Sequence, residues 1–375
     1  MMPLLSTRLV ILLAVLAVLL FGFLVIGPRR RVSARRGVLT RGLQVIALNV
    51  VVLGLAGVLL NQQYVFYVSW SDLLGTGSTT ASTVTEGNAR EGGKIKLDGG
   101  LAAQAANLQL PPLPYPNQQE QAYNVTGPKS GTSGTVLVWL PKGYDPEAAK
   151  AYPVIVALSG YPGVPRSSLQ AFQFSTTFDQ LVGQGVITAP IVVMPQINDP
   201  ANLDTECVDA PNHSGPQAET WLSQDIPNWI TSHFRVRTDR TSWAVMGYSY
   251  GGWCSAVLSM RHPQIFGASM VLMGYFRPEF SPGYDPLPAN SAAAEQYDLI
   301  TMARKHPPAV SMWVMAAKTD PSAYPQSVAF LKAVRSPTSV TAYLTTTGGH
   351  RTDTIPPAMP AMLRWLHNTL PGFAN

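Results

Sequence analysis

A serine, an aspartate and a histidine carry the chemistry this chain could perform. Ser249 stands in Gly247-Tyr248-Ser249-Tyr250-Gly251, the pattern G-x-S-x-G. A serine hydroxyl is a weak nucleophile until a neighbouring base takes its proton. The pattern places it on a sharp strand-to-helix turn, where small flanking residues keep the backbone clear of its neighbours. The helix that follows adds positive potential where an oxyanion would form. His350, in Thr347-Gly348-Gly349-His350, is the expected general base, and Asp320, in Ala317-Lys318-Thr319-Asp320-Pro321, the expected acid. His350 would take the Ser249 proton, and Asp320 would hold its tautomer and stabilise the imidazolium. Asp353 and Asp298 are the alternatives for the acid. His262, His233 and His367 read as helix residues, and His213 and His306 as loop residues. No H-x-x-x-H or H-E-x-x-H occurs, so neither a metal set nor a cofactor is expected.

Acyl transfer also needs backbone N–H donors aimed at the developing oxyanion. The amide of Tyr250, directly after the nucleophile, is one. The loop Leu158-Ser159-Gly160-Tyr161-Pro162-Gly163 should supply the second. Pro162 has no N–H, which leaves Tyr161, with Gly160 as the alternative.

These residues need a scaffold that brings distant loops to one edge. Strand-like runs occur at Gly134–Leu140, Tyr152–Leu158, Ile187–Met194, Ser242–Met246, Ser269–Met273, Ser311–Ala317 and Val340–Thr345. Helical stretches alternate with them, among them Ala218–His233, Gly252–Arg261 and Ser327–Val334. Such alternation implies an α/β protein whose mostly parallel sheet has helices on both faces. Ser249, Asp320 and His350 then all follow the C-terminal ends of strands, as in the α/β-hydrolase fold.

The chain before this domain has a different composition. Residues 1–70 hold seven arginines and no acidic residue, whereas the remainder carries nineteen basic against twenty-one acidic residues. The net charge of +5 therefore belongs to the N-terminal segment. Without a basic face on the folded domain, nucleic-acid binding is not expected. Two apolar runs, at about 8–26 and 43–60, are each long enough to cross a bilayer as a helix. Six arginines fall in the loop 28–41 between them, and only Arg8 precedes the first. Short Arg-rich loops stay in the cytoplasm. The expectation is a transmembrane hairpin over 1–70 with both ends outside, a Gly/Ser/Thr/Pro-rich flexible linker over 71–121, and a catalytic domain over 122–375. That makes a multi-pass membrane protein with an extracytoplasmic domain. Cys207 lies in a long loop leaving a strand end, and Cys254 in the first turns of the nucleophile helix. An oxidising compartment would let them pair.

With these residues in place, the chain resembles the putative-esterase family. That family includes S-formylglutathione hydrolases, feruloyl and enterochelin esterases, and the mycolyltransferases of actinobacteria. The likeness runs from about Tyr123 to Leu370. It rests on Leu140-Pro-Lys-Gly-Tyr144 before Tyr152-Pro153-Val154, on Gly247 to Gly252, on Arg261-His262-Pro263, and on Gly348-Gly349-His350. The resemblance implies the α/β-hydrolase fold, carboxylester chemistry, and Ser249, Asp320 and His350 as the triad. Two departures are visible. Ser159-Gly160 replaces the His-Gly of many members, and Arg351 to Met359 replaces an aromatic-rich segment after the base. The hairpin arrangement looks like that of an actinobacterial envelope protein. Three functions compete: an esterase acting through an acyl-enzyme, an acyltransferase moving the acyl group to an envelope sugar hydroxyl, and a non-catalytic glycolipid binder. The expected partners are an acyl-ester or glycolipid substrate and the membrane.

Overall fold

The computed structural model of the protein describes residues 2–26, 34–64, 67, 69–74, 81–86, 99–105, 108–198, 203–281 and 283–374. The chain divides into two compact units. One comprises Met1–Thr80 with Thr319–Pro321 and Thr347–Arg351; the other comprises the rest.

In the first unit, α1 (Thr7–Ile26) and α2 (Ala34–Tyr64) are both long and apolar enough to cross a membrane. Only 6% of either apolar window is buried within the protein. Leu9, near the start of α1, packs with Val58, near the end of α2; the two helices therefore run antiparallel. Helix α2 begins earlier than the apolar run does and takes in Arg35, Arg36 and Arg41. Arginine is a good helix former. The first part of the Arg-rich loop, 28–33, lies outside the described residues.

The second unit is built on a nine-stranded sheet. Its strands are β1 (Ala81–Glu86), β2 (Glu120–Thr126), β3 (Ser133–Trp139), β4 (Val154–Leu158), β5 (Ile191–Pro195), β6 (Trp243–Tyr248), β7 (Ala268–Leu272), β8 (Ser311–Ala317) and β9 (Ser339–Thr345). The spatial order is β1-β9-β8-β7-β6-β4-β5-β3-β2. The six strands from β4 to β9 are mutually parallel, and β1, β2 and β3 pair antiparallel at the two margins. Every residue of β4, β5, β7 and β8 is buried, as expected of strands covered on both faces. Along β4 the two faces alternate. Val154, Val156 and Leu158 join a core with Trp221, Phe234 and Trp253, while Ile155 and Ala157 join one with Phe172, Met359 and Leu363.

Strand order reverses at β4, with β5 on one side and β6 on the other. In open α/β sheets such a switch point opens a crevice at the carboxyl ends of the strands. The loops after β4 and β6 flank that crevice.

Three elements differ from the sequence reading. The strand expected from Ile187 starts only at Ile191, because Thr188 bonds the C-terminal tail instead: its N–H reaches the Phe373 carbonyl and its hydroxyl the Ala374 carbonyl, at 3.0 and 2.7 Å. The helix expected over Ala218–His233 is divided by a widened turn at Trp221–Asp225 just before Pro227. Proline has no N–H and its ring crowds the preceding turn. The segment read as a flexible linker contains ordered pieces. β1 pairs with β9, Leu101 N–H donates to the Thr238 carbonyl at 2.8 Å, and Gln104 bonds Phe234 and Val236. The Pro-rich stretch is held by Gln121, fully buried, which accepts from Tyr115 N–H and donates to the Tyr115 carbonyl. Backbone amides with partners within reach take them whatever the composition around them.

Candidate active site

Ser249 separates β6 from the helix Tyr250–Arg261 and has φ 58° and ψ −125°. A positive φ on a residue with a Cβ is strained and persists only where the surroundings enforce it. Here Ser249 N–H donates to the Leu272 carbonyl at 2.9 Å, and its own carbonyl accepts from Trp253 N–H at 3.0 Å. The turn is tight enough to exclude side chains on either flank. A Cβ on Gly247 would stand 2.1 Å from the Gly251 carbonyl oxygen, and one on Gly251 would stand 2.4 Å from that of Ser159. The two glycines thus let the Ser249 turn lie directly on the loop after β4. Ser249 itself is partly exposed.

Tyr161 lies in that loop, 37% exposed, with its ring centroid 5.9 Å from that of Tyr250. A Cβ on Gly160 would stand 2.8 Å from the Tyr248 ring. Tyr250 opens the helix, where first-turn amides lack an intrahelical acceptor. Its side chain is turned inward: the hydroxyl shares a hydrogen bond with Thr205 Oγ1 at 2.9 Å and accepts from Cys207 N–H at 3.3 Å.

Cys207 and Cys254 form a disulfide with Cα atoms 5.5 Å apart. The bond ties the loop after β5 to the first turns of the helix Tyr250–Arg261. Beside it sits a pair of acids that the sequence reading missed. Glu206 is 1% exposed and Asp204 6%. Tyr275 donates to Glu206 Oε1 at 2.7 Å, and Trp253 Nε1 donates to the Glu206 carbonyl at 2.8 Å. Asp204 Oδ2 accepts from both the N–H and the hydroxyl of Ser281. Burial pushes the Glu206 carboxyl up to about 9, against the hydrogen bond from Tyr275 and with the help of the Asp204 charge. Glu206 is therefore a neutral acid at pH 7.

Asp320 and His350 belong to the first unit. They follow β8 and β9 in the chain, the strands expected to carry them. Asp320 Oδ2 lies 2.7 Å from His350 Nδ1, with the Asp320 side chain fully buried and the His350 side chain 20% exposed. Gly348 and Gly349 have φ of 117° and 56°, values that suit glycine. Gly349 N–H donates to Thr319 Oγ1 at 3.1 Å, which joins the loop of His350 to the loop of Asp320. The two alternative acids stand elsewhere. Asp298 caps the helix Leu299–Lys305 through Thr301 and pairs with Arg277, and Asp353 lies exposed in the turn Thr352–Thr354.

His262 caps the helix Tyr250–Arg261 by position and uses its side chain on Glu219, Nε2 to Oε1 at 2.7 Å. Arg261 Nε donates to the same oxygen at 2.8 Å, and the Tyr297 hydroxyl donates to Oε2. Burial pushes the Glu219 carboxyl up, but the hydrogen bonds from His262 and Arg261 outweigh it and hold it at about 2. Among the described residues, no group of three or more His, Cys, Asp or Glu is placed to hold a metal ion.

A family model described as putative esterase matches residues 128–362. An uncharacterized protein of Corynebacterium glutamicum is 29% identical over 140 residues, 37% of this chain. The match spans 32% of that relative, about a third of its length. Solved structures with the same fold include an S-formylglutathione hydrolase from Agrobacterium tumefaciens, with a TM-score of 0.55 at 18% identity over 67% of this chain and 95% of that one. A ferulic acid esterase aligns with a TM-score of 0.54 at 18% identity, over 66% and 97% of the two chains. A fluorophosphonate-binding serine hydrolase of Staphylococcus aureus gives 0.52 at 15% identity, also over 66% and 97%.

Proposed function

The chain belongs to the putative-esterase family, and from that premise we propose that it cleaves an acyl ester through an acyl-enzyme on Ser249. The strained Ser249 backbone on its glycine-lined turn carries this reading. The hydrogen-bonded pair of Asp320 and His350 supports it. His350 takes the Ser249 proton as Oγ attacks the ester carbonyl. Asp320 keeps the imidazole Nδ1 protonated and stabilises the imidazolium. The amides of Tyr250 and Tyr161 receive the oxyanion. Collapse of the tetrahedral intermediate expels the alcohol, to which His350 returns the proton. Water, activated by His350, then releases the acid and restores Ser249.

The domain acts outside the cytoplasm, anchored by a hairpin over 1–70 with the catalytic part over 122–375. The six arginines between the two apolar runs support that orientation.

The test is fluorophosphonate labelling of the full chain in detergent, with p-nitrophenyl butyrate hydrolysis alongside. Ser249→Ala should lose the label and on the order of 10⁶ in kcat. Asp320→Asn should lose about 10⁴, while Asp353→Asn stays near wild type. A labelled Ser249→Ala protein, or a dead Asp353→Asn protein beside an active Asp320→Asn one, would overturn the assignment.

A further inference from the structure

The unit that holds the proposed base is also the unit that holds the membrane hairpin. Its interior shows how the two are joined. The apolar window of α2 ends at Gln62. Tyr67, five residues on, is bound back to the last turns of that helix: its N–H donates to Asn61 Oδ1 at 2.7 Å, and Asn61 Nδ2 donates to its carbonyl at 2.8 Å. Trp70 Nε1 donates to the Met2 carbonyl at 2.7 Å, which ties the start of the chain to the same end. Tyr67 and Trp70 both pack on the small cluster of Leu4, Leu9 and Val58. Paired aromatic residues at the end of a span mark the membrane–water interface.

Arg351, the residue after His350, sets its guanidinium 4.8 Å from the centre of the Tyr67 ring. Consecutive Cα atoms are about 3.8 Å apart. His350 is therefore one residue removed from a side chain seated on the interfacial aromatic layer. The headgroup region beyond the hydrocarbon is roughly 5–8 Å deep on each side.

We propose that the hairpin is a working part of the hydrolase: Tyr67 positions the base loop through Arg351, and the substrate is an amphiphilic ester resident in the bilayer. Such an ester keeps its acyl chain in the hydrocarbon and its carbonyl near the headgroup boundary, the depth at which His350 stands. A water-soluble ester gains nothing from that placement. The proposal rests on His350 being the base of the Ser249 reaction.

The experiment uses the full chain reconstituted in vesicles of ether-linked phosphatidylcholine, which the enzyme cannot hydrolyse. Two probes are compared, 4-methylumbelliferyl palmitate doped into the vesicles and 4-methylumbelliferyl acetate in solution. Wild type should favour the vesicle-borne ester at least ten-fold in kcat/KM. Tyr67→Ala and Arg351→Ala should each cut that preference about ten-fold, the double variant no further, and Tyr67→Phe should restore it. A wild-type circular-dichroism spectrum and thermal melt show that each variant is folded, and Arg351→Ala serves where Tyr67→Ala does not fold. A preference for the acetate, or an unchanged preference in both single variants, overturns the proposal while leaving the Ser249 reading intact. A wild-type chain that takes no label and cleaves neither ester sinks the Ser249 reading itself.

Discussion

Replacing Glu206 by glutamine should remove a large part of the protein's loss of stability in mild alkali. The carboxyl has an ordinary value of 4.5 and stands at about 9 in the folded protein. Between those limits the native state holds one proton more than the unfolded chain. A raised folded value means that the contribution is fully present below 4.5 and is lost as pH rises through about 9. Each pH unit in that window costs about 1.4 kcal/mol. From pH 6 to pH 8 the loss is about 3 kcal/mol. At roughly 2–4 °C per kcal/mol for a domain of this size, that lowers Tm by roughly 6–12 °C. Glutamine keeps the shape and cannot ionise. Its Tm should therefore fall less over the same interval, by that amount, and the difference between the two proteins cancels all other titrating groups. The measurement is scanning fluorimetry of both full-length proteins in detergent at pH 6, 7 and 8. Parallel profiles would refute the reasoning and show that Glu206 is ionised in its buried site.

Three further outcomes are expected. Reducing the disulfide should lower stability by about 4 kcal/mol, since it opens a loop of 47 residues; the urea midpoint of the Cys207→Ser, Cys254→Ser double variant checks this. Gly251→Ala should abolish fluorophosphonate labelling because its Cβ meets the Ser159 carbonyl, whereas Gly183→Ala, with nothing within 4 Å, should label as wild type. Glu219→Gln should destabilise by about 3–5 kcal/mol at pH 7, the usual cost of breaking a buried ion pair. That gap should close as pH falls from 4.5 toward 2, because a carboxyl held at about 2 contributes above its ordinary value and loses the contribution on acidification.

The parallel strands were legible because they are buried on both faces and read as continuous apolar runs. Ser311–Ala317 matches β8 residue for residue. The strand-to-helix turn at Ser249 was legible because its glycines admit no substitute, and the loops of Asp320 and His350 because each follows such a run. β1 was not legible. Ala-Ser-Thr-Val-Thr-Glu has no apolar face, and only its pairing with β9 makes it a strand. The Asp204–Glu206 pair and the Glu219 cluster were hidden for a different reason. Asp204 and Glu206 sit in a loop that reads as polar, and the partners of Glu219 are up to 78 residues away. No local pattern distinguishes a buried carboxyl from a solvated one. The disulfide fell between these cases: the positions of the two cysteines after strand ends suggested it, and the parallel sheet made it reachable.

The pairing of β1 with β9 also sets an order of assembly. Ala81 lies opposite Thr345, roughly 260 residues later in the chain. As the polypeptide is made, β1 is among the first parts of the domain to appear, and its partner is the last strand. Until β9 has formed and docked on β8, the stretch 81–86 has nowhere to pair. The rest of the sheet must therefore form before β1 can join it. A chain stalled or truncated before Ser339 would remain a tethered, edge-exposed intermediate, and a quality-control protease could tell it from finished protein by the accessibility of 81–86.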